Sequence, residues 1–226
     1  MINLYNSCSL EAMKQKPDQY YDLAIVDPPY GVTEGMIGGL NNIPNTGKAN
    51  KHLYQPMEND WNTAPGEEYF QELFRVSKRQ IIWGGNYFPI LWKKPCRGFI
   101  IWHKKPIGKL HADCELAWNS TDQNARVFQY RWSGAHTEIG SSSKVDRVHP
   151  TQKPVALYSW LLENYSQPGW RILDTHLGSG SIALAAHDYG VSLDGYEINK
   201  QYFDGASRRL AQHQSQLSIF ELLENV

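Results

Sequence analysis

With 226 residues, 41% of them hydrophobic and 20% charged, the chain is long enough for one generous globular domain and too rich in core formers to be disordered. Its three cysteines, Cys8, Cys96 and Cys114, form no CxxC pair and are odd in number, which argues against a disulfide framework or a structural zinc and for a reducing cytoplasm. A net charge of −1 excludes a uniformly basic polyanion binder, but residues 1–74, 75–153 and 154–226 carry −6, +9 and −4, so a basic middle lies between acidic flanks.

Residues 2–6 (INLYN) read as a strand and 9–16 (SLEAMKQK) as a short helix with Ser9 as its N-cap. Residues 21–26 (YDLAIV) form a buried strand. The stretch 65–77 opens with Pro65 and two acids and places Tyr69, Phe70, Leu73, Phe74 and Val76 mainly on one helical face. QIIWGG, GFIIWH, CELAW and VFQYRW supply further strands, closely spaced between about 98 and 132, which suggests an antiparallel addition. A helix from Pro154 (PVALYSWLLENYS), strand RILDT, helix SIALAAHDYG, strand SLDGYE and helix NKQYFDGASRRLAQHQ follow. This alternation implies an α/β fold, a largely parallel sheet with helices on both faces.

Two segments look irregular. Residues 31–64, rich in Gly and Asn, are far longer than an ordinary connection and read as a mobile functional loop. Residues 133–151 are polar and basic. No apolar run approaches the ~20 residues of a membrane helix, and no basic-then-apolar signal pattern opens the chain, so no membrane association is expected. His111 and Cys114 have a ligand-like spacing but lack a second pair, so no metal is expected.

Two stretches carry chemistry. In the first, the strand 171–175 ends in an acid, Asp174, followed by a glycine loop (Gly178-Ser179-Gly180) and a helix. The glycines allow a ligand close to the backbone, and the helix start offers free amides. Nineteen residues beyond Gly178 stands Glu197, placed to accept hydrogen bonds from ribose hydroxyls. Gly178-x-Gly180-x-x-Ala183 also satisfies a dinucleotide fingerprint, so a nicotinamide site competes with other nucleosides. A carboxylate at the strand tip disfavours a diphosphate and favours a ligand bearing an ammonium, as S-adenosylmethionine does. In the second stretch, VDPPYG, a buried strand ends in Asp27, two rigid prolines and the aromatic Tyr30.

Asp27-Pro28-Pro29-Tyr30, followed far downstream by Asp174-x-x-x-Gly178-Ser179-Gly180-Ser181, resembles the S-adenosylmethionine-dependent DNA amino-methyltransferases. Catalytic motif first and cofactor motif last is the permuted order of their beta class, with a Rossmann-like methyltransferase fold. Residues 3–13, 67–88, 102–120, 149–157 and 195–199 look like family segments in family order, so the resemblance spans most of one methyltransferase domain, 1–226. It implies that Asp174 and the Gly178–Gly180 loop hold the methionine end of S-adenosylmethionine. Glu197 would take the ribose, and Lys153 would close over the methionine carboxylate. Three departures stand out. Ser7-Cys8 replaces the usual Asp-Cys beside the adenine, weakening that contact or leaving it to the backbone. Asp174-Thr175-His176 replaces Asp-Pro-Phe, which introduces an imidazole and, with it, possible pH sensitivity. Trp102-His103-Lys104 replaces Trp-Asp-Lys.

The resemblance assigns the proline corner a task. An exocyclic amine is a poor nucleophile until its nitrogen pyramidalises, and the Asp27 carboxylate with the Pro28 carbonyl would accept its two N–H bonds from fixed positions. Pro29 completes the corner, and Tyr30 would stack on a base flipped from DNA. Asp rather than Ser at the first position favours N6-adenine over N4-cytosine. An RNA adenine methyltransferase and a lapsed DNA- or cofactor-binding module are the alternatives. Target recognition falls to the 31–64 loop and a short segment, about 119–148. There Arg126, Arg131, Lys144 and Arg147 are candidate phosphate or guanine contacts, and Gln123, Asn124 and Gln129 candidate adenine readers. So small a recognition segment suggests a short target site or a homodimer.

Overall fold

A computed structural model gives the structure of residues 1–31, 63–105, 112–121, 123–132 and 152–224. Eight strands form one sheet: β1 (Ile2–Tyr5), β2 (Leu23–Val26), β3 (Gln80–Trp83), β4 (Gly98–His103), β5 (Cys114–Asn119), β6 (Arg126–Gln129), β7 (Arg171–Asp174) and β8 (Ser192–Tyr196). Their order across the sheet is β1-β8-β7-β2-β3-β5-β4-β6. β5 runs against both its neighbours, β3 and β4, while the other pairings are parallel. The expected antiparallel addition is therefore a single strand. β6 returns to pair with β4 rather than extending a hairpin from β5.

Helices α1 (Ser9–Lys14), α2 (Glu67–Val76), α4 (Val155–Tyr165), α5 (Ser181–Tyr189) and α6 (Lys200–Glu224) match the expected positions. A 3-10 turn at Gly85–Tyr87 and the four-residue α3 (Pro89–Trp92) fall where the sequence pattern gives no helical period. α6 runs ten residues past its expected end at 214. Cys8, not Ser9, caps α1, and it does so without a side-chain bond; Ser9 is already the first helical residue.

The alternation of β2 explains why the sheet is covered twice. Leu23 and Ile25 pack into one core with Leu157 and Leu161 of α4 and Ile182 of α5. Ala24 and Val26 pack into a second core with Phe70, Leu73 and Val76 of α2. β3 divides the same way, with Ile81 and Trp83 to the first core and Ile82 to the second. Full burial of each such side chain contributes about 1.5–3 kcal/mol, so a one-residue slip would expose both faces.

This topology concentrates chemistry at one edge. Ser7 and Cys8 follow β1, Asp27 follows β2, Asp174 ends β7 and Glu197 follows β8. Since β5 is reversed, its beginning, not its end, reaches the same edge, where Trp102 pairs with Glu115 and His103 with Cys114.

Candidate active site

Register places the two acids of interest on adjacent strand ends. Ala24 of β2 lies beside Leu173 of β7, so Asp174 and Asp27 project from neighbouring carboxyl ends. Asp27 is held on both oxygens. The Tyr30 hydroxyl donates to Oδ1 at 2.7 Å, and the Lys153 ammonium to Oδ2 at 2.5 Å. Lys153, 4% exposed along its side chain, also lies 3.1 Å from Glu115 Oε2, and Lys104 Nζ is 2.5 Å from Glu115 Oε1.

Burial alone would lower the Lys153 ammonium, but the Asp27 and Glu115 carboxylates reverse this and hold it above the ordinary lysine range. Burial would likewise raise Glu115, yet Lys153 and Lys104 hold its carboxyl down at about 2. Lys153 thus has its charge committed to the Asp27 and Glu115 carboxylates.

Tyr30 is positioned by a glycine. Gly84 adopts φ +66°, and a Cβ there would come 2.1 Å from Tyr30 Cε1. The tyrosine ring stacks on Tyr87 (centroids 4.9 Å apart, planes 14° apart) and meets Phe88 edge-on at 6.2 Å. Pro28 is buried behind it.

Next to this corner is a cavity of about 300 Å³, lined by Ser7, Cys8, Tyr69, His176, Glu197 and Ile198 among others. Its size falls at the small end of the range for ligand clefts. Glu197 accepts the Gly178 amide on Oε2 at 2.9 Å and the Asn199 amide on Oε1 at 2.8 Å, so it braces the glycine loop as well as facing the cavity. Burial raises its carboxyl, against the lowering effect of those amides. Gly178 and Gly180 take φ +52° and +73°, and a Cβ on Gly180 would meet Ala206 of α6 at 2.8 Å. The Ser179 carbonyl accepts from Arg209 of α6, and Ser179 and Ser181 hydroxyls lie 3.1 Å apart.

Asp174, 2% exposed, accepts the His176 amide at 3.0 Å, and no lysine or arginine among the described residues pairs with it. Burial, reinforced by the charges of Asp27 and Glu197, pushes its carboxyl up to about 8. His176 keeps an aromatic contact with Tyr69, edge-on at 5.5 Å. Its Nδ1 lies 2.9 Å from Thr175 Oγ1, which bonds in turn to the Tyr69 hydroxyl at 2.6 Å. Burial lowers the imidazole to about 4.

The expected DNA contacts scatter. Arg126 opens β6, level with Ile100, and so lies at the end of the sheet opposite Asp27. Gln129, level with His103, and the partly buried Arg131 lie toward the catalytic end. Gln123 and Asn124 are exposed. Lys144, Arg147, His111 and most of the 31–64 loop lie outside the described residues, as does much of 119–148. Sequence reasoning missed Glu115, Gly84 and Arg209, and met Lys104 only as the end of Trp102-His103-Lys104. Gly84, in WGG, carried a local signal; Glu115 and Arg209 depend on pairing between distant strands and helices.

A family model for N6/N4 DNA methylases matches residues 93–208, just over half of the chain. This protein belongs to that DNA methylase family. It is 28% identical to the type II methyltransferase M.ScaI of Streptomyces caespitosus, over 92% of this chain and 81% of that protein. In fold, this DNA methylase resembles the structure of an M1.HpyAVI–SAM complex, with a TM-score of 0.56 and 22% identity over 93% of this chain and all of that one. It also resembles the cytosine-N4-specific PvuII DNA methyltransferase, with a TM-score of 0.59 and 12% identity over 91% of this chain and 85% of that one.

Proposed function

We propose that this DNA methylase transfers a methyl group from S-adenosylmethionine to the N6 amine of adenine in DNA. The observation that carries the reading is the adjacency of Asp27, an amine acceptor at a rigid proline corner, to Asp174, a buried acid without a cationic side-chain partner among the described residues.

The residues around the cavity fit the cofactor. Glu197 lines the cavity and offers a carboxyl to a ribose diol; Asp174, one residue before the lining Thr175, offers one to an ammonium, and the positive-φ glycines keep the backbone that follows bare. When bound, the cofactor supplies a methyl group on a cationic sulfur, whose C–S bond breaks as the C–N bond forms. Asp27 and the Pro28 carbonyl take the two N–H bonds of the incoming amine, so the nitrogen lone pair is directed away from the ring and toward the methyl carbon. The charge passes to the nitrogen, and Asp27 receives the proton that the methylated amine must lose.

Tyr30 supports a flipped base beside this corner, with Tyr87, 45% exposed, stacked against it. Gln129 and Arg131 lie toward the same edge, and Lys144 and Arg147 add to the basic middle segment that tracks phosphate, whereas Arg126 lies at the far end. Two copies sharing recognition of a short site fit so small a segment. N4-cytosine is the competing acceptor, favoured by the breadth of the family model and by the likeness to the PvuII enzyme; Asp rather than Ser at position 27 supports adenine.

Asp27→Ala tests the assignment. Cofactor binding by calorimetry is expected to persist while transfer into DNA is lost. Retained transfer would refute the role of Asp27.

A further inference from the structure

The catalytic corner contains more charge than an amine acceptor needs. Four side chains alternate in sign, Asp27, Lys153, Glu115 and Lys104, linked at 2.5, 3.1 and 2.5 Å. They come from four separate places: the end of β2, the start of α4, the beginning of β5 and the end of β4. An ammonium as buried as Lys153 is costly with a single partner, and costlier if that partner must also serve an incoming amine. Glu115 is the second partner, and it reaches the corner because β5 is the reversed strand of the sheet.

We infer that Glu115, backed by Lys104, is a positioning residue for methyl transfer: it holds the Lys153 ammonium against Oδ2 of Asp27, so that Asp27 keeps one orientation toward the target amine. This inference rests on the reading of Asp27 as the amine acceptor. A carboxylate has about four lone-pair directions. The Tyr30 hydroxyl takes one on Oδ1 and Lys153 takes one on Oδ2, which fixes the directions of those that remain.

Lys153 faces Asp27 from β2, Glu115 from β5, the Trp83 ring from β3 (5.3 Å to its centroid), Tyr158 from α4 and the more distant Asp174 from β7. Tyr30 lies against Asp27, and Lys104 against Glu115. Of these, Glu115 is the anion that can be neutralised without touching the amine acceptor or the cofactor acid.

The test is Glu115→Gln, which keeps the shape and removes the charge. Single-turnover transfer near pH 7.5 is expected to slow by about 10- to 100-fold, as for other misplacements of a reacting group, with cofactor affinity changed less than about twofold. The variant should gain an alkaline limb between pH 8 and 10 as Lys153, left with one carboxylate partner, loses its proton. Adding Lys153→Arg should abolish that limb, because a guanidinium does not titrate there. A variant profile that parallels wild type up to pH 10, or a loss matched by lost cofactor affinity, would overturn the inference.

If Glu115→Gln fails to fold, Glu115→Asp takes its place. It draws the carboxylate back from Lys153 by one methylene and should bring in a weaker form of the same limb; absence of the limb would again overturn it. Nitrogen-15 titration of the Lys153 ammonium needs no DNA and separates the inference from the functional reading. An earlier loss of the Lys153 proton in the Glu115→Gln variant supports the positioning role even if no transfer to adenine is found, and an unchanged titration contradicts it.

Discussion

Binding of an ammonium-bearing ligand against Asp174 should expel a proton. With its carboxyl pushed up to about 8 by burial and by the nearby Asp27 and Glu197 charges, Asp174 is about nine-tenths protonated at pH 7 in the ligand-free protein. An ammonium pairs with the carboxylate, so binding releases about 0.9 proton from this group at pH 7 and about 0.1 at pH 9. The ligand's own α-amino group, with an ordinary value near 7.7–8.0, takes up about 0.1 proton at pH 7, leaving a net release of about 0.8. Affinity should climb nearly tenfold from about pH 6 to 7 and level off near 8, where the ammonium begins to deprotonate. Titrating the non-reactive product S-adenosylhomocysteine in two buffers of different ionisation enthalpy measures the proton count directly. Asp174→Asn should bind more weakly and release no proton from this position. No release from wild type at pH 7, or equal release from the variant, would refute the reasoning. The stability of the ligand-free protein follows from the same shift. The folded value lies above the unfolded one, so the Asp174 contribution is complete below about 4 and is lost as pH rises through about 8.

Gly84→Ala and Gly190→Ala form a matched pair. Both force alanine into positive φ, at about 1–2 kcal/mol, but only Gly84 also drives a Cβ into the Tyr30 ring, adding about 1–3 kcal/mol of overpacking. Urea denaturation should therefore show the larger loss for Gly84→Ala, and only that variant should lose methyl transfer; equal losses would contradict the packing of Tyr30 on Gly84. His176→Phe should leave the pH dependence of cofactor affinity unchanged between pH 6 and 9, since burial already keeps the imidazole neutral there. Because the folded value is lowered, His176 costs stability as pH falls from 6.5 through about 4, and thermal melts of the Phe variant should be less acid-sensitive over that window.

Strand identity was legible because it is local. LAIV, QIIW, GFIIWH and RILD announce themselves as short apolar runs, and the eight strands of the described residues all appear where such runs were read. Pairing is not local. Nothing within CELAWN says that it lies reversed between β3 and β4, and that reversal is what delivers Glu115 to the catalytic edge. The proposed reaction corner at Asp27 and the proposed cofactor loop at Gly178 were readable because each packs its chemistry into a few consecutive residues. Lys153 was singled out in the sequence, but its contacts with Asp27 and Glu115 were not, since a single lysine gives no sign of which distant carboxylates it will meet. The 3-10 turn and α3 were missed because three or four residues make only about one turn, and a single turn shows no repeat of apolar positions.

The central claim is tested most directly by product identity. The protein is incubated with methyl-labelled S-adenosylmethionine and unmethylated genomic DNA, beside RNA, and the digested nucleosides are separated by chromatography. Label in N6-methyladenine from DNA is the predicted result. Label in N4-methylcytosine, in RNA alone, or in no nucleoside despite cofactor binding would contradict it.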